Sequence, residues 1–260
     1  MKRTVICYYE PIDNLRLSED SLVLVDIWKK NWKSKGWNPI VLSKKDAISN
    51  SKLKNIKIED FNSPFYKFSP NYPRYLMHCY LRWYAYTNFV LENKEDCLWC
   101  DYDVFNQSFN FKKADSVIKN QACILANSGS CGYMTKQSSE TLLDFFEDFF
   151  NSKDFESTSK KFSEFYNINL QNKEDKKLND MFLIEFLCHH LKVFSRIPIT
   201  FEFRSENINF AKIKKSYNLF HIHGGVNNMN NNFLEDFGKK SKRSDIYKYI
   251  IFNKLKNPSI

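Results

Sequence analysis

The chain has 260 residues, 43% hydrophobic and 17% aromatic, with a formal charge of +9 at pH 7. That length and apolar content supply a full core, which excludes whole-chain disorder, and the lack of any long apolar run excludes a spanning helix. The charge favours an anionic partner (nucleic acid, a phosphorylated small molecule or an acidic membrane surface) without choosing among them.

In chain order, Thr4 to Tyr9 is a β-prone run leading into Glu10 and Pro11, and it reads as a first strand rather than a signal peptide. Ser18 is a plausible helix cap followed by Glu19 and Asp20, where the helix dipole favours acids. Leu22, Val25, Trp28 and Trp32 then mark one apolar face, lysines crowd the last turns, and Gly36 closes the helix. Pro39 opens a second strand, Ile40 to Leu42, which completes a βαβ unit with parallel strands. Ser43 to Pro70 is polar and weakly patterned. Pro73 suits the first turn of a long aromatic helix reaching about Phe89, and Leu98 begins the next strand. Strand, helix, strand, helix, strand predicts an α/β fold: a mainly parallel sheet covered on both faces, binding ligands beyond the carboxyl ends of its strands.

Past Asn110 the alternation loosens. Ala122 to Ala126 reads as a strand, Gly129 to Gly132 as a tight loop, and Ser138 or Ser139 as the cap of a helix through Phe150. Residues 151–174 read as a surface excursion, Lys177 to Leu191 as helix, and Asn218 to Ile222 as a short strand. The seven cysteines, an odd number scattered from Cys7 to Cys188, suit a reducing, cytoplasmic setting. Cys97-Leu-Trp-Cys100 lacks the second pair that a zinc site needs, and on a strand its thiols face opposite sides, so both are expected to pack.

Four constellations carry chemistry. Asp101 and Asp103 lie one residue apart where an apolar strand leaves the core; alternation points both the same way. So close, they repel and raise each other's pKa, a conflict that a hard divalent cation removes. Arg74, His78 and Arg82, at i, i+4 and i+8, form a cationic stripe on the preceding helix. Arg82 suits bidentate contact with a diphosphate. His221 and His223 share a strand face ahead of Gly224 and Gly225, and one imidazole beside two carboxylates makes a mixed set acceptable to Mn²⁺. Asp180, near a helix start, is either a dipole partner or a general base for an acceptor hydroxyl.

Together these residues resemble those of the GT-A-fold, Asp-x-Asp-containing glycosyltransferases. The likeness rests on an aromatic first strand end, an Arg-bearing helix (Tyr80-Leu-Arg82-Trp-Tyr84), a strand ending Asp101-Tyr-Asp103, and a late His-Ile-His-Gly. It spans about residues 3–225 and is clearest over 74–106. It implies a Rossmann-like GT-A domain over 1–230, with a nucleotide-sugar half at about 1–110 and an acceptor half at about 111–230, followed by a small basic helical tail, 231–260. It further implies a nucleoside-diphosphate sugar donor and Mn²⁺ (or Mg²⁺), with Asp103 on the metal, Asp101 near ribose or metal, and Tyr102 between them in the donor segment. A late His completes the metal set: His221 fits a His-x-x-Gly spacing, and His223 directly precedes Gly224. Tyr8, Tyr9 and Glu10 match the place where such enzymes hold the nucleobase, and Asp46 is a further nucleotide candidate. The connection Glu92 to Asp96 departs from the pattern, lacking the Gly-Gly of many related motifs, and this leaves the subfamily open.

The expected activity is metal-dependent transfer of a sugar to a hydroxyl of a glycan or glycolipid. Asp180 serves as base if the reaction inverts, and positions the acceptor if it retains. Expected partners are the donor and a glycan or lipid-linked acceptor, with no nucleic acid. The tail, with Lys239, Lys240, Lys242 and Arg243 beside Ile246, Ile250 and Phe252, suits peripheral contact with an anionic membrane. Nucleotidyl transfer is a rival, but Tyr8-Tyr9-Glu10-Pro11 lacks the Gly-rich loop it normally carries. A basic nucleic-acid or membrane-surface module, the non-enzymatic rival, explains the charge but not an acidic pair at a strand end.

Overall fold

The structure is a computed structural model that describes residues 4–11, 18–49, 72–127, 129–151, 184, 187–203, 217–222 and 244. Asp180, His223, the excursion at 152–174 and the tail apart from Ser244 lie outside the described residues, as does the side chain of Arg74.

The first unit follows the sequence pattern. β1 (Thr4–Tyr8) pairs in parallel with β2 (Asn38–Leu42), and α1 (Ser18–Ser34) connects them. Gly36, at φ 84°, takes the left-handed conformation that ends the helix and turns the chain into β2. A short helix not evident from sequence, α2 (Lys44–Ala47), follows, and then the long α3 (Tyr72–Asn93) leads to β3 (Cys97–Cys100). β4 (Val104–Asn106), α4 (Phe111–Ile118), β5 (Cys123–Ile124), β6 (Cys131–Met134) and α5 (Lys136–Asn151) continue the chain. A π-helical turn at Leu187–Leu191 precedes β7 (Ser195–Arg196), β8 (Thr200–Phe203) and β9 (Leu219–Ile222). Thr135 caps α5, not Ser138 or Ser139: its Oγ1 accepts from the Ser138 N–H at 3.2 Å while the Ser138 Oγ accepts from the Thr135 N–H at 2.9 Å.

The described strands form two sheets, a six-stranded one in the order β2-β1-β3-β6-β5-β7 and a three-stranded one in the order β4-β9-β8. The larger sheet is mixed: mostly parallel, as the alternation predicts, with two antiparallel pairs. β1 runs parallel to β2 and β3, and β5 to β7, but β6 is antiparallel to both of its neighbours, β3 and β5. The cause is local: β5 and β6 are joined by a loop of six residues, too short for the crossover that parallel pairing needs.

Alternation along the strands builds the core. Val5, Cys7, Leu98 and Cys100 pack with Trp28 and Trp32 of α1 and Ala114 and Ile118 of α4 on one face. Ile6, Tyr8, Cys97 and Trp99 pack with the aromatic face of α3 and with Leu142 and Phe146 of α5 on the other. Cys97 and Cys100 thus point to opposite sides of the sheet as buried packing thiols, both free. Trp99 lies over Gly132 of β6, its cross-strand partner, where any Cβ would fall 2.5 Å from the indole. Among the described residues no helix is long and apolar enough to cross a membrane.

Candidate metal centre

The chain leaves β3 at Cys100 and turns at once. Asp101 and Asp103 belong to a turn closed by the Val104 N–H donating to the Asp101 carbonyl at 3.0 Å. Strand alternation therefore does not align the two carboxylates; the turn does. The Asp101 N–H donates to the Ser130 carbonyl at 2.7 Å, which fixes the turn to the chain entering β6.

Asp103 leads directly into β4, the first strand of the small sheet, and β4 pairs antiparallel with β9 so that Val104 lies opposite His221. The turn thus joins the two sheets, and β9 delivers the imidazole beside it. Asp101, Asp103 and His221 each offer a ligand atom within 4.8 Å of the others. His221 Nε2 lies 3.4 Å from Asp103 Oδ1, and both side chains are almost wholly buried. Arg82, on α3, donates from Nη1 to Asp101 Oδ1 at 2.5 Å.

Burial of the His221 ring works to lower its pKa, but it is outweighed by Asp103, through charge and hydrogen bonding, and then by Asp101 and Glu202. The net direction is upward. Among the described residues, Asp103, Asp101 and Glu202 give the ring a local excess of negative charge that favours its protonated form. A divalent cation would answer the same excess. Carboxylate oxygens with one imidazole suit Mn²⁺ or Mg²⁺, and three protein ligands leave coordination positions for water or substrate oxygens.

The other sequence-predicted residues are placed as follows. Tyr8 is core, only 8% exposed, with its hydroxyl 2.8 Å from His78 Nδ1 and its N–H donating to the Tyr86 hydroxyl. Tyr9 is half-buried and meets the Tyr102 ring edge-on at 5.5 Å, while the Tyr102 hydroxyl lies 3.4 Å from Ser21 Oγ. Tyr9 thus packs against the middle residue of the Asp-Tyr-Asp turn. Glu10 Oε2 accepts from the Lys44 N–H, and Asp46 Oδ2 accepts from both the N–H and hydroxyl of Ser43. Both carboxylates thus shape the entry to α2 and stand outside the metal cluster. The stripe on α3 is no solvated face: His78 meets the end of β1 and Arg82 the end of β3.

Sequence reasoning missed Glu202. It lies on β8, directly across from His221 in the parallel pairing with β9, and its Oε1 is 4.0 Å from His221 Nδ1. Its one sequence signal is a lone acid between Phe201 and Phe203 in a β-prone run. Among proteins of known family and curated proteins, no family model matches the chain and no curated sequence matches it.

Proposed function

We propose that this chain is a metal-dependent glycosyltransferase of the Rossmann-like GT-A type, moving a sugar from a nucleoside-diphosphate donor to a hydroxyl of a glycan or glycolipid. The observation that carries the reading is the convergence of Asp101, Asp103 and His221 from two sheets onto a space that one cation fits, with Arg82 against Asp101. Bound there, Mn²⁺ or Mg²⁺ supplies positive charge to the diphosphate as it leaves.

Asp103 and His221, both buried, would hold the cation together with Asp101. Arg82 fixes the Asp101 carboxylate and would bring a permanent positive charge to a diphosphate bound at that cation. Tyr9 and Tyr102, whose rings meet edge-on beside the acidic turn, offer ring surface and edges for a nucleobase. Asp180 is proposed as the base or acceptor-positioning carboxylate.

The test is Mn²⁺-dependent hydrolysis of nucleotide sugars, with a panel of donors, by the wild-type chain and by Asp103→Ala. The reading expects loss of at least about 100-fold in turnover in the variant, the scale of removing one preorganised charge contact from a transition state. Near-wild-type turnover would remove Asp103 from the site, and no turnover of any donor by the wild type would remove the activity.

A further inference from the structure

We infer that the cleft where α1 ends and β2 begins is a second anion site, separate from the metal centre, and that it takes a phosphate-bearing ligand. The inference does not depend on the glycosyltransferase reading above.

The cleft holds about 490 Å³ and is lined by Lys29, Lys30 and Lys33 from the helix and by Trp37, Asn38 and Pro39 from the turn into the strand. A Cβ built on Gly36, in the middle of that turn, would meet nothing within 4 Å, so the turn does not close the cleft. Among the described residues no acid lines it, and Asp26 stands a turn earlier on the helix.

The helix itself groups the three lysines. Lys33 follows Lys29 by four residues and Lys30 by three, positions whose Cβ atoms lie about 5–6 Å apart on a helix surface. Ammonium groups so placed repel one another, and the ion pairs among the described residues are made elsewhere, by Arg82, Lys136 and His221. Helix capping does not use them either. The carbonyl of Asn31 accepts from Ser34 Oγ, that of Trp32 from the N–H groups of Lys35 and Trp37, and that of Lys33 from the Gly36 N–H. Trp37 is only 4% exposed, its indole N–H donates to the Phe109 carbonyl at 2.7 Å, and its ring stacks on that of Phe109. One wall is therefore fixed before any ligand arrives, and only the lysine heads need to order.

Lysine meets phosphate as a point charge with three donors, so three lysines on one cleft match an anion of more than one charge. The three span about 6 Å of helix axis. That fits a single phosphate or diphosphate group, whereas a polymer backbone needs a longer charged track. The cleft also stands clear of the metal centre. Ser21 Oγ, near the other end of α1, lies 3.4 Å from the Tyr102 hydroxyl in the acidic turn, and Lys33 is about 18 Å further along the axis.

The test is titration of the full chain with inorganic pyrophosphate, following the backbone amide signals of Gly36, Trp37 and Asn38. EDTA is present so that no metal-held diphosphate contributes. Wild type is expected to show saturable shifts at this turn, and Lys30→Gln/Lys33→Gln to bind at least about tenfold more weakly with an unchanged melting temperature. Lys33→Arg, which keeps the charge, is expected to keep the binding. No saturable shift in wild type overturns the inference, and so does equal affinity in the folded double variant. Once pyrophosphate binding is established, vesicles of phosphatidylcholine with and without phosphatidic acid identify the source of the phosphate. Lysine-dependent sedimentation only with phosphatidic acid assigns it to a lipid headgroup, and no sedimentation with either assigns it to a soluble ligand. Binding of duplex DNA through the same lysines, without a pyrophosphate shift, overturns the site in favour of a nucleic-acid surface.

Discussion

His78 and Arg82 lie one helical turn apart on α3, yet each serves a different strand end. Arg82 holds Asp101, and His78 Nδ1 sits 2.8 Å from the Tyr8 hydroxyl. Burial lowers the His78 pKa, opposed by Glu10 and aided by Lys44. The ring therefore keeps its neutral form to a lower pH than a free imidazole does, and a neutral Nδ1 can accept the Tyr8 proton. The sign follows: a histidine that protonates less readily folded than unfolded contributes stability that is fully present above its ordinary pKa of 6.5. That contribution is lost as pH falls below 6.5 through the depressed folded value. Thermal melts from about pH 7.5 to about pH 5 should therefore show a steeper acid-side loss for wild type than for His78→Gln, which keeps a polar partner for Tyr8 but cannot titrate. Parallel curves for the two chains would place the acid sensitivity elsewhere.

At the scale of elements, α1 decides where Asp103 can be. Asn31 accepts from the Asn106 N–H at 2.8 Å and donates to the Asn106 carbonyl at 3.0 Å, and the Trp32 indole donates to the Val104 carbonyl at 3.1 Å. One helix thus grips both ends of β4, the strand that begins right after the acidic turn. Asn31→Ala orphans two backbone groups of Asn106 in a buried setting, at about 1–3 kcal/mol each. A loss of about 2–4 kcal/mol in urea unfolding is expected, together with weaker Mn²⁺ binding as β4 loosens. Stability within about 0.5 kcal/mol of wild type would show that solvent or a neighbour replaces the amide. The helix itself was legible in the sequence, as were β1, β2, α3, β3 and β9, because each is a strongly patterned apolar segment with turn residues at its ends. β7 was not, being a two-residue strand of exposed Ser195 and Arg196 with no apolar pattern. β6 was hidden for another reason: Gly129 to Gly132 read as a tight loop, yet Cys131 and Gly132 begin the strand, and its antiparallel direction depends on the short β5–β6 loop. In the site, Asp101 and Asp103 were legible from their adjacency and His221 from its glycine-flanked strand. Glu202 had no such mark, since a register partner on another strand is invisible until the sheet is built.

At the scale of the whole molecule, the acidic turn is a hinge point of covalent structure: β3 before it belongs to the large sheet and β4 after it to the small one. Asp101 is fixed by the large-sheet side, through the Ser130 carbonyl and Arg82, whereas His221 is carried by the small sheet. Among the described residues, the carboxylates of Asp101, Asp103 and Glu202 gather around the His221 imidazole, with the Arg82 guanidinium on Asp101, so like charges repel at the junction. A cation held by Asp101, Asp103 and His221 would convert that repulsion into a tie between the sheets. Binding to the folded state alone adds RT ln(1 + [L]/Kd), about 2.7 kcal/mol at a hundredfold excess over Kd. The stabilisation should be local as well as global. Hydrogen exchange with and without Mg²⁺ is expected to slow at Val104–Asn106 and Leu219–Ile222 and to leave Asn38–Leu42, at the far edge of the large sheet, unchanged. Protection confined to the Asp101–Asp103 turn would take His221 out of the ligand set and leave the small sheet a structural neighbour only. Protection on both sides of the junction is what three ligands drawn from two sheets require.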